Sequence, residues 1–465
     1  MDIYIGIDLG TSNSAIACFD GSEVQLIPNS RGETTTPSVV RFTENGTVVG
    51  AKARNFLYKD PLHTHKEFKR LMGTGSKTKA DDFGNQYSPE QLSSEILKSL
   101  RNDALKFRDL LPELAVITVP ALFELPQSNA TAEAARLAGF KKVELLPEPV
   151  ASALAAGWSE QDAEKPWLVF DLGGGTFDVS LVEARDGLLR VVGHDGDNFL
   201  GGRDIDRALV NWLLQKLQQE ESVVVDEDAE SHKVALRHIY QEVENAKIRL
   251  SNNERTSLEL DFTLDGQHIE TDLQLTRNDL ETITAPIVER AISICLRLIA
   301  QHGLTREQIG RIVLVGGPAH MPIIKTRVAE QLAALAEGNG DPMTLVARGA
   351  ALYAATIGLK NQAVAEQAQA PDACEIWLQY PSVSSDLMPD LMGRMINTKH
   401  FKPQRIQFCH QDGLWESDKL ELDEQGIFMA ALKLNLGKSN RFNIKLFDAQ
   451  GHAIPVTPDY INIVH

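Results

Sequence analysis

The sequence has little of what would place a chain outside the cell, in a membrane or on nucleic acid. Its four cysteines, Cys18, Cys295, Cys374 and Cys409, are scattered through 465 residues with no paired or metal-type spacing. That excludes a disulfide framework or a zinc cluster as the organising feature and reads as a reduced, cytoplasmic chain. No run of ~18 apolar residues occurs, so no membrane span is expected. The segment Met1 to Asp8 has no basic flank and no long apolar stretch before its acids, unlike a secretory signal. Positive charge is also short. Against 64 Asp and Glu stand 46 Lys and Arg, a formal net charge of −18, which argues against DNA or RNA as a partner.

What is present is the composition of a packed protein, 43% hydrophobic and 24% charged, far from the bias that leaves chains disordered. At ~150 residues per domain, the length allows about three folding units. Up to Leu359, short β-branched runs alternate with helical patterns, the signature of an α/β architecture. Strands are expected at Ile3 to Leu9, Leu114 to Val119, Trp167 to Asp171, Val179 to Glu183 and Arg311 to Val315. Helices are expected at Pro89 to Phe107, Gln127 to Ala138, Asp204 to Gln218, Val234 to Leu250 and Asp279 to Gln301.

One internal echo matters most. The run Ile5-Gly6-Ile7-Asp8-Leu9-Gly10-Thr11-Ser12 returns as Leu168-Val169-Phe170-Asp171-Leu172-Gly173-Gly174-Gly175-Thr176, with Asp171 lying 163 residues after Asp8. That spacing is too long for a solenoid, whose periods reach roughly 50 residues. It indicates two similar lobes, about 1–165 and 166–359, within one unit spanning 1–359. In each copy an apolar strand ends in an acid, turns through glycine and hydroxyl residues, and continues as a second strand. Such turns let backbone N–H groups approach phosphate oxygens without a side chain in the way. Two of them facing each other would grip a polyphosphate from both sides, with Asp8 and Asp171 placed to hold Mg²⁺ through waters. Thr11, Ser12 and Thr176 would supply hydroxyls. A third turn, Val315-Gly316-Gly317-Pro318, is a candidate wall for a nucleoside.

Other nucleotide motifs fail on spacing. Gly73-Thr74-Gly75-Ser76-Lys77-Thr78 lacks the glycine that a P-loop needs before its lysine, and no apolar strand feeds it, so it reads as a surface loop. No Gly-x-Gly-x-x-Gly opens a helix after a strand.

After Leu359 the composition changes. Residues 360–371, beginning Lys360-Asn361-Gln362, read as a helix tail fading into a linker. Residues 372–465 read as a small all-β domain, with strands at Glu375 to Tyr380, Arg405 to Cys409, Ile427 to Leu434, Phe442 to Phe447 and Tyr460 to Val464.

Taken together, these elements resemble the 70-kilodalton heat-shock chaperones of the actin and sugar-kinase superfamily. The motifs run from Tyr4 to Gly358: the Ile5 run, Thr-Thr-Pro-Ser from Thr35, Lys-Arg-Leu-Met-Gly from Lys69 and Pro-Glu-Pro from Pro147. They continue with Phe-Asp-Leu-Gly-Gly-Gly-Thr-Phe-Asp-Val-Ser from Phe170, Leu-Gly-Gly-Arg-Asp-Ile-Asp from Leu200, Glu-Asn-Ala-Lys-Ile-Arg-Leu-Ser from Glu244 and Leu-Val-Gly-Gly from Leu314. The resemblance implies a two-lobed actin-like ATPase, made of duplicated ribonuclease H-like lobes, followed by a small sandwich-like all-β domain. ATP or ADP and Mg²⁺ would lie in the cleft, and hydrolysis would be slow. It implies catalytic roles for Lys69 at the γ-phosphate and attacking water, for Glu148 as a water-orienting residue, and for Asp171 and Thr176. Asp8, Asp171 and Asp178 would surround the metal. Gly10, Thr11, Ser12, Asn13, Gly173, Gly174, Gly175, Gly201 and Gly202 would hold phosphates. Glu244, Lys247 and Ser251, spaced three and four apart on one helix face, would meet ribose and adenine, with Gly316, Gly317 and His320 on the other side.

Three departures stand against the family pattern. After the third turn come Pro318-Ala319-His320, where the family has an arginine that stacks on adenine, so weaker or altered nucleotide affinity is expected. Glu144 replaces a basic residue that helps engage J-domain cochaperones, a charge reversal that argues against conventional stimulation by them. The β-rich tail does not match the family's peptide-binding domain, and the chain stops at His465 after an apolar strand, as a piece of a longer polypeptide or a short divergent member. The leading expectation is an ATP-hydrolysing chaperone-like switch acting on unfolded polypeptide or a dedicated protein partner. The alternative is a low-turnover nucleotide-binding assembly module. A sugar kinase would need a catalytic aspartate and a sugar pocket that the sequence does not place.

Overall fold

The computed structural model describes residues 2–464 apart from 45, 58, 83, 159–164, 186–187, 337–339, 363–372, 381–383, 385, 400, 424 and 436–438. The echo in the sequence is a duplicated hairpin. Strand Asp2–Asp8 pairs antiparallel with Asn13–Phe19, and strand Trp167–Leu172 pairs antiparallel with Phe177–Arg185. The registers correspond: Asp8 sits opposite Ala15, and Asp171 sits opposite Asp178. Each leading strand then takes a parallel neighbour on its other side, Leu114–Val119 in the first lobe and Ile312–Val315 in the second. Parallel partners bury a strand on both faces, which is why both leading strands read as continuous apolar runs.

Among the described residues, the first sheet has seven strands and the second four. Each carries its own core. Ile5, Ile7, Ile16, Ile96, Leu97 and Ile117 fill the first, and Phe170, Phe177, Leu213, Ile239, Leu280 and Leu298 fill the second. A third core of Val116, Val150, Val169, Val313, Val346 and Ala350 joins the lobes through the helices Glu148–Ala155 and Leu345–Thr356. These two helices touch backbone to backbone: a Cβ at Gly349 would lie 1.8 Å from the Ala151 carbonyl oxygen, so only glycine fits the crossing. The joint core fixes the floor of the cleft, where the hairpin turns of both lobes emerge.

Predicted elements survive with shifted ends. The second strands begin at Asn13 and Phe177, the latter earlier than expected, which carries Asn13 and Asp178 into the ladders. The Pro-Glu-Pro motif opens a helix whose first residue is Glu148. Gly73, read as surface loop, takes a left-handed backbone (φ +72°) pressed against Pro126 and Gln127. Lys360–Gln362, read as the start of a linker, is a strand that adds to the first sheet opposite Asp2, Ile3 and Tyr4. The buried Asn361 side chain accepts from the Glu113 and Leu114 N–H groups, both at 2.9 Å, and donates to the Leu114 carbonyl at 2.7 Å. Most of the remaining linker expectation, residues 363–371, lies outside the described residues.

Among its described residues the tail forms two sheets, one of four strands and one of five, packed on Ile376, Leu391, Phe408, Phe428, Phe442 and Leu446. Four of its expected strands lie close to their predicted positions, and Ile427–Ala431 is shorter than expected. Strand Asp390–Asn397 was not foreseen.

Candidate functional site

The two glycine turns meet face to face. A Cβ at Gly174 would lie 2.7 Å from Ser12 Oγ, so the turn of the second lobe sits directly against that of the first. The first turn is held from behind by the Thr-Thr-Pro-Ser motif: Ser38 Oγ donates to the Gly10 carbonyl at 2.7 Å, and the Ser38 N–H donates to Ser12 O at 2.8 Å. The second turn is closed by the Gly173 N–H donating to Thr176 O at 2.9 Å. Gly201 and Gly202 dock onto it. The Gly202 N–H reaches Gly173 O at 2.9 Å, the Arg203 N–H reaches Gly174 O at 2.9 Å, and a Cβ at Gly201 would lie 2.5 Å from Gly175 Cα. Gly201 thereby caps the helix Gly202–Glu220 against the turn, with the positive end of its dipole toward any phosphate there. Gly316 (φ +91°) packs on the Leu172 carbonyl, and Pro318 touches Gly202, so the third turn joins the same cluster.

Acids stand on the cleft floor. Asp8 ends the first leading strand, Asp171 is the next-to-last residue of the second, and Asp178 faces Asp171 in register. Glu148, first residue of its helix, accepts from Lys69 Nζ at 2.7 Å. Lys69 comes from the short turn Phe68–Leu71, and its side chain is 5% exposed. Burial pushes the Asp8 carboxyl up to about 7, with Glu148 adding to the shift and Lys69 opposing it. Burial and Glu148 likewise raise Asp178 to about 6. Asp171 rises well above the ordinary carboxylate range through burial, then Glu148, Asp178 and Asp8. Among the described residues, the cation that opposes the raised carboxyls of Asp8, Asp171 and Asp178 is Lys69.

This donor set fits Mg²⁺. The described residues hold no group of three or more His, Cys, Asp or Glu side chains arranged as direct metal ligands, whereas an ion that keeps its waters needs hydrogen-bond acceptors around it rather than a closed cage. Its charge would relieve the repulsion that raises the three aspartates. A cleft reaches Glu148, Asp171 and Asp178 and is walled by Pro120, Leu122 and His194.

The nucleoside residues are arranged differently from the rest. Glu244, Lys247 and Ser251 share helix Lys233–Asn252 as their spacing requires, but two of them are taken by ion pairs. Glu244 pairs with Arg54 of the first lobe at 2.8 Å, and Lys247 is buried against Asp206 at 2.6 Å. Ser251 Oγ bonds back to the Lys247 carbonyl at 3.5 Å. His320 is tethered to Asp341 at 2.9 Å, beside the Gly316-Gly317 wall. Sequence reasoning quoted the motifs of Ser38, Arg70 and Arg203 without reading roles for them. Their partners lie 28, 105 and 136 residues away, and no local pattern signals such pairings.

Duplicated hairpins, a shared interlobe core and facing glycine turns define a two-lobed actin-like ATPase fold. Within that class, the family model described as Hsp70 protein matches residues 4–366. Relatives include proteins named Chaperone protein DnaK. That of Thermosipho melanesiensis is 39% identical over 362 residues, covering 77% of this chain and 59% of that protein. Those of Thermosipho africanus and Thermotoga maritima are 38% and 37% identical, over 77% of this chain and 59% and 60% of theirs. The chain belongs to the Hsp70 family. It spans about three fifths of the length of the relatives it matches, and its β-rich tail lies beyond the matched region. Among the described residues, no helix is long and apolar enough to cross a membrane.

Proposed function

We propose that this chain binds and slowly hydrolyses ATP, and that nucleotide state sets lobe closure and with it the holding of a protein partner or unfolded client. One observation carries the reading: a buried Lys69–Glu148 pair stands over three aspartates where two glycine turns face each other. Backbone N–H groups of residues 10–13, 173–175 and 201–202 would cradle the phosphates. Lys69 would lie against the γ-phosphoryl oxygens, where charge spreads in the transition state, and hold the attacking water. Glu148 holds Lys69 in place through their 2.7 Å contact, and its second oxygen would orient that water. Thr176 closes the loop on the phosphates. Asp8, Asp171 and Asp178 would hold Mg²⁺ through waters, and the metal would neutralise phosphate charge and aid the leaving group. Glu244, Lys247, Ser251, Gly316, Gly317 and His320 would line the adenosine, with Glu244 and Lys247 exchanging their ion-pair partners for the ribose.

By this reading, residues 1–359 form the ATPase unit in lobes of about 1–165 and 166–359, residues 360–371 lead out of it, and 372–465 form the tail that meets the partner. Glu144, half-buried on strand Lys142–Pro147, leaves a J-domain cochaperone disfavoured. The test is phosphate release from ATP by the purified chain with Mg²⁺ and with EDTA. Slow, Mg²⁺-dependent release supports the reading. Tight nucleotide binding without release would favour the low-turnover assembly module.

A further inference from the structure

A second ion cluster straddles the cleft beside the reactive lysine. Glu67 precedes the turn that carries Lys69 and takes a left-handed backbone, φ 57°, a conformation costly for a residue with a side chain. Its carboxylate accepts from Arg203 Nη1 of the second lobe at 2.7 Å. Lys66 and Arg70 approach the same carboxylate at 3.7 and 3.8 Å. Arg70 also crosses the cleft and donates to the Gly175 carbonyl at 3.2 Å.

Arg203 is itself tied to the phosphate turn. Its N–H bonds to Gly174 O, and its guanidinium lies over Gly175 so closely that a Cβ there would sit 2.1 Å from Nη2. The peptide of Gly175 is therefore covered by an arginine from each lobe, and both arginines converge on Glu67. Glu67 in turn is two residues from Lys69, joined to it by a single tight turn.

We infer that Glu67, Arg203 and Arg70 form a closure clamp. When the lobes come together on nucleotide, Arg203 and the Gly175 carbonyl capture Glu67 and Arg70, and this fixes the turn that presents Lys69. Opening releases the turn and withdraws the lysine's support. Glu67 and Arg203 are positioning residues; neither touches the reacting atoms. The inference rests on the hydrolysis reading above, and it adds a reason why turnover would depend on closure.

The test is a charge-swap cycle in the full chain: Glu67→Lys, Arg203→Glu and the double variant. Each single variant lowers the single-turnover rate of ATP hydrolysis about three- to fivefold, the scale of an exposed networked pair, while ATP affinity stays within about twofold. Each speeds release of a fluorescent ADP analogue by a similar factor. The double variant restores both rates to within about twofold of the parent, a rescue that a merely structural role does not give. Parental rates in the single variants, or a double variant as impaired as the two defects multiplied, overturn the clamp. Should a charge reversal fail to fold, Arg203→Gln carries the same expectation. If the parent binds ADP without hydrolysing ATP, the hydrolysis reading fails alone and ADP release decides the clamp. A parent that bound no nucleotide would end both.

Discussion

Replacing Lys69 with alanine separates electrostatics from chemistry. The Lys69 and Glu148 side chains are 5% and 18% exposed and 2.7 Å apart, so removing the lysine strands a largely buried carboxylate. Losing one partner of a buried pair costs about 3 kcal/mol or more. Here the loss is compounded, because Lys69 also opposes the raised pKa of Asp8, Asp171 and Asp178. The variant should therefore melt well below the parent in EDTA. Mg²⁺, entering a site that has lost a competing positive charge, should recover more stability in the variant than in the parent. Hydrolysis should nonetheless vanish. Thermal melts of both proteins across a Mg²⁺ series, with calorimetric Mg²⁺ titration, read this directly. A variant as stable as the parent in EDTA, or one that gains no more from Mg²⁺, refutes the view that Lys69 balances that acid cluster.

Other expectations follow from the same structure. Asp8 and Asp178 ionise near 7 and 6 rather than 3.8, so the metal-free native state holds protons that the unfolded chain has released, and these groups make stability fall as pH rises from about 4 to 7. Asp8→Asn should flatten that fall in EDTA, and Mg²⁺ affinity should weaken as pH drops below about 7; a variant with the parent's pH profile contradicts this. Gly201→Ala places a Cβ 2.5 Å from Gly175 Cα and should abolish turnover by displacing the phosphate turn; full activity argues against the packing described. Asn361→Ala leaves two N–H groups and a carbonyl without their buried partner and should cost about 2–3 kcal/mol in urea melts, whereas a loss under 0.5 kcal/mol would show that water replaces the side chain. His320 should give weaker ATP and ADP affinity than an ordinary family member when titrated by calorimetry, and equal affinity would remove the significance given to the missing arginine.

Much of the site was legible because its signals are local. A strand, an acid and a glycine turn occupy a dozen residues, and their repetition at Asp171 fixes the two-lobed plan. The registers Asp8 with Ala15 and Asp171 with Asp178 give that repetition a physical form. Spacing also placed Glu244, Lys247 and Ser251 on one helix, but it could not reveal Arg54 and Asp206 as partners. The strand Lys360–Gln362 stayed hidden because it is wholly polar. It forms by pairing with Asp2, Ile3 and Tyr4 and through the bonds of one buried amide. In the tail, Asp390–Asn397 was missed for a related reason. Its outward positions carry Met392 and Arg394, and Gly393 stands where Phe428 and Leu378 close in from both neighbouring strands. That sequence has no β-branched alternation to announce a strand.

In the proposed reaction, the Lys69–Glu148 pair at the facing turns drives hydrolysis of bound ATP. Single-turnover hydrolysis of pre-bound ATP in Mg²⁺, compared for the parent, Lys69→Ala and Glu148→Ala, tests it most directly. The parent should release phosphate slowly and neither variant should do so above background, with nucleotide affinity within a few-fold throughout. Release at the parental rate in either variant, or none from a parent that holds ATP, would contradict it.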